Sequence, residues 1–420
     1  MNIPQLPSNL LIHSEAMVDA HGLQSPGALL IKDGHIAAAG SPQEIGEVNG
    51  VTSISCPGEV LMPGLVNAHA HLDLTSIGPV GAENGFSEWL NDIRVARPTE
   101  PASIESAVQA GIEASISGGT VSIGDISGAQ SWIPFETLSG SYLSGTSWIE
   151  VFGIAAREEA GIERMHSLLE KAAQYPIGRI RPGLSPHAPT SCGLELYRVA
   201  AASGIPLATH LAESIEELDF MRSGSGPMKQ LLIDLGIWGD GIEPYGGHPI
   251  DVLSDVFSSG AWTIAHVNYP SLNNEPAEER QRRIDQLASW NAVIAYCPRA
   301  SAFFGHPHNG EPAHSWRDYL AAGIPVALGT DGMPCLDTPG RLSIVDEMRW
   351  LAKNDGADWR ELMPMATVHG AQAVGIDPAL VDLTPGPVAG LVCVPGEGSD
   401  PVADAFSRSE PIRWIGLSNS

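Results

Sequence analysis

Two histidines one residue apart, His69 and His71, follow an apolar run at residues 65–68. Such a run predicts a short buried strand. Because side chains alternate along an extended chain, both imidazoles point to the same side of the strand end. Two imidazoles on one face make half of a metal site, although a bare His-x-His pair is more often two ordinary polar residues. The remaining ligands must therefore come from elsewhere in the chain.

Two further strand-like runs end in residues that suit the same chemistry. The run at 206–210 ends in His210, with Glu213 three residues later. A carboxylate there can take a proton from an activated water and deliver it to a leaving nitrogen. The alternative is a histidine at a helix start, followed by a glutamate that the helix dipole favours. The run at 326–329 leads to Asp331, which is a candidate ligand or base, or else a helix cap.

One more histidine, His266, ends the run at 263–266. It is a candidate for polarising the attacked carbon or for holding the nucleophile, unless it is a buried histidine bonded to backbone.

Three imidazoles and one carboxylate form the predicted metal site, namely His69, His71, His210 and Asp331. These donors predict one divalent ion, with zinc as the best fit and iron or manganese as alternatives. The predicted catalytic residues are Glu213, His266 and Asp331.

Eight short apolar runs alternate with helical stretches, as expected for repeated βα units. The runs cover residues 65–69, 120–124, 148–152, 181–185, 206–210, 263–266, 292–296 and 326–329. Helical stretches include 103–117, 162–174, 278–290 and 344–353. A polar residue follows almost every run, which is where a (β/α)8 barrel carries its active site.

Both ends of the chain predict a small β unit. Residues 28–32 and 35–39 are β runs joined by Asp33-Gly34, a strong hairpin signal. β character returns at 390–394 and 412–417. We therefore expect an α/β protein with a (β/α)8 TIM barrel and a small β-sandwich domain. The expected boundaries are 1–62 and 376–420 for the small domain and 63–375 for the barrel.

Composition restricts the partners. The 420 residues are 43% hydrophobic, and no apolar run is long enough to span a membrane. A net charge of −27 disfavours nucleic acid and anionic membranes, so we expect a small-molecule substrate. The five cysteines lack CxxC spacing, and no signal peptide is visible at the N-terminus, which together predict reduced thiols and a cytoplasmic location. A homodimer is compatible with the sequence, which does not determine the oligomeric state.

The pattern of strand-end residues resembles the amidohydrolase superfamily. The shared features are HxH after strand one, HxxE after strand five, a histidine after strand six and Thr-Asp after strand eight. The resemblance covers nearly the whole chain and implies a (β/α)8 barrel with the four ligands named above around the metal. Members with two metals are generally bridged by a carboxylated lysine at a middle strand end. No lysine of this chain ends a predicted strand, which favours one metal.

Finer motifs resemble the deaminase branch of that superfamily. The segment at 183–190, which contains His187, is similar to the substrate-facing loop of chlorohydrolase and aminopurine deaminase relatives. The segments at 67–75, 86–89, 210–214 and 342–349 are similar to those of aminodeoxyfutalosine deaminases of menaquinone biosynthesis. The resemblance implies hydrolysis of the 6-amino group of an adenine-type nucleoside, with 6-amino-6-deoxyfutalosine as the expected substrate. Ser301 and the segment at 332–335 depart from the usual pattern of these relatives.

Several alternatives stay open at this point. S-adenosylhomocysteine, thiomethyladenosine, adenosine, guanine or cytosine deaminases and chlorohydrolases would share the same metal site. A non-catalytic binding protein on a degenerate barrel is a different class, against which the complete ligand set and Glu213 argue.

An aminodeoxyfutalosine substrate would carry a benzoate-like carboxylate into an acidic protein. Arginine recognises carboxylates in a bidentate manner, and the candidates are Arg94, Arg97, Arg157 and Arg299, each alternatively a surface or helix-capping residue. His187 and Trp89 are candidates for substrate contact through hydrogen bonding and stacking. Trp89 is alternatively an apolar helix anchor.

Overall fold

The computed structural model describes residues 5–128, 131–176, 178–239, 242–307, 311, 313–338 and 340–416. Its strands form one sheet of nine and one of seven. The strands are β1 (Asn9–Val18), β2 (Leu23–Gln24), β3 (Gly27–Lys32), β4 (His35–Gly40), β5 (Thr52–Pro63), β6 (Leu65–His71), β7 (Thr120–Ser127), β8 (Ser144–Val151), β9 (Ile180–Pro186), β10 (Leu207–Leu211), β11 (Trp262–His266), β12 (Ala292–Tyr296), β13 (Val326–Leu328), β14 (Asp331–Gly332), β15 (Leu391–Pro395) and β16 (Arg413–Ile415).

The nine-stranded sheet is a closed parallel barrel. Strands β6 to β13 pair in chain order, and β14 pairs back onto β6. The eighth barrel strand is therefore split, because its first part bonds to β12 and its second part bonds to β6. Between the two parts, Gly329 N–H donates to the Tyr296 carbonyl at 2.9 Å and Thr330 N–H donates to the His69 carbonyl at 3.0 Å. The expected (β/α)8 fold is confirmed.

Helices surround the barrel, and each of the four helical stretches expected from the sequence overlaps one of them. The α-helices are α1 (Pro42–Ile45), α2 (Phe86–Ala96), α3 (Pro101–Ser117), α4 (Ile133–Ser139), α5 (Glu158–Ala172), α6 (Leu194–Ala201), α7 (Ile215–Ser223), α8 (Pro227–Asp234), α9 (Pro249–Val252), α10 (Ser254–Phe257), α11 (Ala277–Ala288), α12 (Pro298–Phe304), α13 (Trp316–Ala321), α14 (Ile344–Asp355), α15 (Trp359–Ala366), α16 (Val368–Val374) and α17 (Pro401–Ser407). Short 3-10 turns lie at Leu72–Ile77, Ala155–Arg157, Met333–Cys335 and Pro378–Val381. Among the described residues, no helix has both the length and the apolar character needed to cross a membrane.

The seven-stranded sheet combines both ends of the chain. Its order is β16-β15-β5-β1-β3-β4, with β2 paired to β1. The long strand β5 lies in the middle of this order and continues through Gly64 into β6, which carries the first two histidines. A Cβ at Gly64 would lie 2.2 Å from Val121 Cγ1, so only glycine fits this junction. The domain boundaries at 62/63 and 375/376 remain our proposal.

Apolar side chains form three clusters. The largest fills the barrel and the space beneath its helices. A second cluster stands over the carboxyl ends of the strands and includes Phe86, Trp89, Ile93, Met228 and Leu232. The third lies within the seven-stranded sheet. The second cluster gives the open end of the barrel an apolar wall.

Candidate active site and metal centre

The four predicted metal ligands converge at the carboxyl end of the barrel. His71 Nε2 lies 3.3 Å from His210 Nε2. Asp331 Oδ1 lies 3.5 Å from His71 Nε2 and 3.9 Å from His69 Nε2. All four side chains are buried. Strands one, five and eight therefore bring together residues that are far apart in the sequence.

The donor set fits a single divalent ion. His69 Nε2 is buried and has no hydrogen-bond partner among the described residues. Burial is the largest cause that lowers the pKa of His69 and His71 well below the usual value, so both imidazoles are neutral and their lone pairs are available. His210 faces the His187 carbonyl through Nδ1 at 2.8 Å, which directs Nε2 towards the cluster. Three imidazole nitrogens and one carboxylate oxygen are donor types that divalent ions such as zinc accept.

A side-chain clamp sets the position of Asp331 against the two histidines of β6. Asn67 donates from Nδ2 to Thr330 Oγ1 at 2.8 Å, and its Oδ1 accepts from Thr330 N–H at 3.1 Å. Asp331 itself has a φ of 59°, and its Oδ1 accepts from Gly332 N–H at 2.8 Å. A non-glycine residue in this region of φ is strained, and such strain is concentrated at functional sites.

The candidate proton-transfer group, Glu213, lies beside His266. Glu213 Oε1 is 3.5 Å from His266 Nε2. Burial, followed by repulsion from Asp331 and Glu217, raises the pKa of the Glu213 carboxyl well above its ordinary value. A carboxyl group that keeps its proton near neutral pH is suited to general acid–base chemistry.

The backbone of Glu213 is held from both sides by residues that the sequence analysis missed. Glu217 accepts from Ala212 N–H and from Glu213 N–H, each at 2.9 Å. Asn268 donates from Nδ2 to the Glu213 carbonyl at 2.9 Å. The available signal was the spacing of Glu217 four residues after Glu213, together with the Asn268 that closely follows His266.

A buried charge network borders the site on the side of strand three. Glu150 Oε1 lies 3.9 Å from His187 Nε2, and its Oε2 lies 3.2 Å from Arg97 Nη1. Arg97 Nε also lies 3.3 Å from Asp73 Oδ2. Burial would raise the pKa of Glu150, but Arg97 and the nearby histidines lower it overall. Glu150 was missed because it lies inside an apolar run, where a lone carboxylate is itself the signal.

His187, a predicted substrate-contact residue, lies at the edge of the metal cluster and lines the cavity. Its Nδ1 lies 2.7 Å from Ser191 Oγ, and its ring centre is 5.0 Å from that of His210. Burial, the largest cause, lowers the pKa of His187 to about 4, so the ring is neutral at pH 7. A neutral imidazole can both donate and accept a hydrogen bond.

A cavity of about 750 Å³ leads to the metal cluster. Its apolar lining includes Trp89, Leu231 and Ile237. Trp89 is mostly buried and donates from Nε1 to the Val80 carbonyl at 3.1 Å, so it serves as a helix anchor and also borders the cavity. Arginine side chains line the same cavity, namely Arg94, Arg97, Arg157 and Arg164. This combination suits a ligand with an aromatic part and an anionic group.

The four predicted arginines have different surroundings. Arg94 donates to Asn91 Oδ1, and Arg157 donates from Nη2 to the Leu235 carbonyl at 3.1 Å. Arg97 belongs to the buried network. Arg299 is not among the cavity-lining residues. The structure therefore does not support the expectation that Arg299 contacts substrate.

The physical reason is that Arg299 is already paired. Its Nε lies 2.6 Å from Glu347 Oε1, and its Nη1 donates to Thr338 Oγ1 at 2.6 Å. Glu347 is fully buried and also accepts from the Arg299 N–H at 3.0 Å. A buried carboxylate needs a cation partner, and Arg299 supplies it.

Curated relatives of this chain are deaminases. The chain is 29% identical over 372 residues to an aminodeoxyfutalosine deaminase of Deinococcus radiodurans, covering 84% of this chain and 82% of the relative. It is 24% identical over 379 residues to a 5-methylthioadenosine/S-adenosylhomocysteine deaminase of Shouchella clausii, covering 85% and 78%.

Solved structures share the fold. Helicobacter pylori aminofutalosine deaminase in complex with methylthio-coformycin gives a TM-score of 0.75 at 18% identity, covering 96% of this chain and 97% of that chain. An adenosine deaminase from Xanthomonas campestris with bound zinc gives a TM-score of 0.65 at 19% identity, covering 93% and 86%.

The match of a family model extends from the last strand of the N-terminal segment to the last strand of the chain. This model describes the amidohydrolase family, which is metal-dependent, and it matches residues 60–414. The matched range contains the metal cluster, Glu213, His266 and the cavity. The chain therefore belongs to the amidohydrolase family of hydrolytic enzymes.

Proposed function

We propose that this protein is a mononuclear, metal-dependent deaminase that hydrolyses the 6-amino group of an adenine-type nucleoside. The observation that carries the proposal is the buried cluster of three histidines and Asp331, with Glu213 beside it, at the end of a large cavity. Both relatives described above are named as deaminases of adenine-type nucleosides. His69, His71, His210 and Asp331 would hold the ion, which we propose to be zinc.

The proposed reaction replaces the exocyclic amine by oxygen and releases ammonia. A divalent ion bound to this cluster would supply an activated water as the nucleophile. The Glu213 carboxyl group gives its proton to the ring nitrogen next to the attacked carbon, takes a proton from the attacking water and delivers it to the amine, which leaves as ammonia. It regains a proton from the hydroxyl group whose oxygen becomes the carbonyl oxygen. His266, with Nε2 3.5 Å from Glu213 Oε1, orients the nucleophile and stabilises developing negative charge.

For the substrate, we propose 6-amino-6-deoxyfutalosine, which would assign the protein to menaquinone biosynthesis. The relative with 29% identity is named for this activity. The cavity supports the assignment, because it joins an apolar lining to arginine side chains in a chain whose net charge is −27. Arg94 and Arg157 donate to neutral oxygens, which leaves their charge available for an aryl carboxylate.

A second candidate is a deaminase of 5-methylthioadenosine or S-adenosylhomocysteine. The relative with 24% identity is named for these substrates. Thiomethyladenosine has no carboxylate that could pair with Arg94 or Arg157 of the cavity. A cytoplasmic location and a homodimer stay predictions from the sequence.

A substrate panel with the zinc-loaded protein tests the proposal. The panel contains aminodeoxyfutalosine, 5-methylthioadenosine, S-adenosylhomocysteine, adenosine, guanine and a chlorotriazine, with ammonia and chloride release measured in parallel. We expect ammonia release, with kcat/KM highest for aminodeoxyfutalosine by roughly tenfold or more, as one charge-assisted contact provides. Preference for guanine, or chloride release alone, would contradict the proposed function.

A further inference from the structure

Two cysteines from opposite ends of the chain meet in the seven-stranded sheet, outside the barrel sheet that carries the metal ligands. Cys56 lies on β5 and Cys393 on β15, and both are buried in the same apolar cluster. Their sulfur atoms lie within 4.8 Å of each other. The Cys393 thiol is therefore close enough to influence the protonation of Cys56.

A bulge in β5 places Cys56 at this point. Cys56 pairs with Ser14 on β1, whereas the next pair is Val60 with Ala16, so β5 contains extra residues between the two pairs. Gly58 lies in this bulge with a φ of +67°. Cys393 pairs with Leu61 on β5 and with Arg413 on β16.

A guanidinium group covers the sulfur of Cys56. Arg413 donates from Nη2 to Cys56 Sγ at 3.3 Å and from Nε to Glu59 Oε1 at 2.9 Å. Interaction with the Cys393 thiol, followed by the hydrogen bond from Arg413, lowers the pKa of Cys56 to about 7 against the opposing effect of burial. These contacts favour the thiolate, which is the nucleophilic form of cysteine.

The other three cysteines have the opposite environment. Burial raises the pKa of Cys192 to about 12, and it raises those of Cys297 and Cys335 well above the ordinary value. Among the five cysteines, Cys56 is therefore the one whose surroundings favour the thiolate.

We propose that Cys56 and Cys393 are a peroxide-reactive dithiol that closes a disulfide between the two terminal segments of the chain. The Cys56 thiolate attacks one oxygen of hydrogen peroxide, which breaks the O–O bond and gives a sulfenic acid and hydroxide. The Cys393 thiol then attacks the Cys56 sulfur, the S–S bond forms, and the sulfenic oxygen leaves as water. Overall, two thiols and one peroxide give one disulfide and two waters, with two electrons passing from sulfur to peroxide.

The local charges favour this dithiol over a metal site formed by Cys56, Cys393 and Glu59. Glu59 accepts hydrogen bonds from Nε and Nη2 of Arg413, so its charge is already compensated by a cation. The same guanidinium contacts Cys56 Sγ. A divalent ion would have to displace this arginine from two of its three ligands.

The test treats the full-length zinc-loaded protein with hydrogen peroxide, unfolds it in denaturant, alkylates the remaining thiols and maps the peptides by mass spectrometry. We expect a mass loss of two hydrogens, alkylation of three of the five cysteines, and a peptide that joins Cys56 to Cys393. Dithiothreitol should restore five alkylated cysteines. Five alkylated cysteines after peroxide, a Cys56 sulfinic acid without the linked peptide, or a link between other cysteines would overturn the proposal.

Variants separate the roles of the residues. Cys56→Ser and Cys393→Ala should each abolish the mass loss, while Cys192→Ser, which removes a buried thiol outside the pair, should retain it. Arg413→Gln should slow disulfide formation roughly tenfold at pH 7, because the thiolate fraction of Cys56 falls. An unchanged rate in Arg413→Gln would contradict the activating role. A second equivalent of zinc that is lost in Cys56→Ser would show a metal site instead.

Discussion

At the scale of single residues, Glu213 differs from the neighbouring metal-site residues in its surroundings, which suit proton transfer rather than metal binding. Its carboxyl is buried beside His266 and close to Asp331, and its raised pKa keeps it protonated when the ordinary glutamate is ionised. Hydrogen bonds to Glu217 and Asn268 fix its backbone, and they thereby fix the point from which its side chain extends. This combination separates a proton-transfer role from a ligand role.

Replacing Glu213 by Gln should leave metal binding intact and remove the proton transfer. We expect one metal per chain in the purified variant and a fall in kcat of roughly 10²–10⁴-fold. Metal analysis and an ammonia-release assay give the two readouts, with the exposed Glu105→Gln as the matched control. Loss of the metal would show that Glu213 is a ligand, and near-normal turnover would remove it from the mechanism.

Arg157 should contribute to recognition of the substrate carboxylate. Arg157→Gln keeps a hydrogen-bond donor near the Leu235 carbonyl but removes the charge from the cavity wall. We expect kcat/KM for aminodeoxyfutalosine to fall roughly tenfold or more through KM, with a smaller change for 5-methylthioadenosine. Steady-state kinetics with both substrates measures the difference.

Arg299→Gln provides the contrast to Arg157→Gln. Arg299 neutralises the buried Glu347, so its loss should destabilise the fold. We expect a lower melting temperature and a free energy of unfolding reduced by roughly 3 kcal/mol or more.

The outcome for Arg157→Gln can also contradict its proposed role. An equal loss of kcat/KM on both substrates would argue against a role in carboxylate recognition.

At the scale of elements, an ion-pair cluster joins two helices through the loop after β11. Glu275 Oε1 lies 2.6 Å from Arg222 of α7, and its Oε2 lies 3.0 Å from Arg283 of α11. Burial alone would raise the pKa of Glu275, but the hydrogen bonds and the charge of Arg283 lower it to about 2. The loop and both helices therefore depend on an ionised carboxylate.

The pH dependence of stability follows from that shift. Because the pKa is lowered in the folded chain, the stabilisation is present above the ordinary value of 4.5 and is lost as the pH falls towards about 2. We expect Glu275→Gln to lower the melting temperature at pH 7 and the difference from the wild type to shrink below pH 4.5. Glu278→Gln, an exposed change in the first turn of α11, serves as the control. A difference that stays constant down to pH 3 would contradict the assignment.

Elements differ in how far the sequence predicts them. Barrel strands are buried on both faces, so they read as continuous apolar runs, and all eight runs overlap barrel strands. Strand β5 was missed because Pro57-Gly58 interrupts it and its first part is polar. The pairing of Arg299 with Glu347 joins residues of α12 and α14 that only the folded chain brings together. The candidate ligands could be proposed from the sequence because they end or closely follow the apolar runs at 65–69, 206–210 and 326–329, whereas Glu150 lies inside the run at 148–152.

At the scale of the whole molecule, the fold connects its two sheets through a single strand path. β5 crosses the terminal sheet and passes through Gly64 into β6, which ends in the first two histidines. The same β5 carries Cys56, and its partner β15 comes from the other end of the chain. The segments that precede and follow the barrel in the sequence therefore pair with each other. The chain has a net charge of −27, and its cavity lining includes four arginines together with the acidic residues Glu150, Glu213, Glu217 and Asp331.

Titration of metal-free protein with zinc tests the central claim, which is a single catalytic ion held by His69, His71, His210 and Asp331. Ammonia release from aminodeoxyfutalosine is followed as zinc is added to chelator-treated protein. We predict that activity is absent at the start, rises linearly and levels off at one equivalent per chain, and that His71→Ala shows no such rise. Full activity without metal, or a plateau only at two equivalents, would contradict the account.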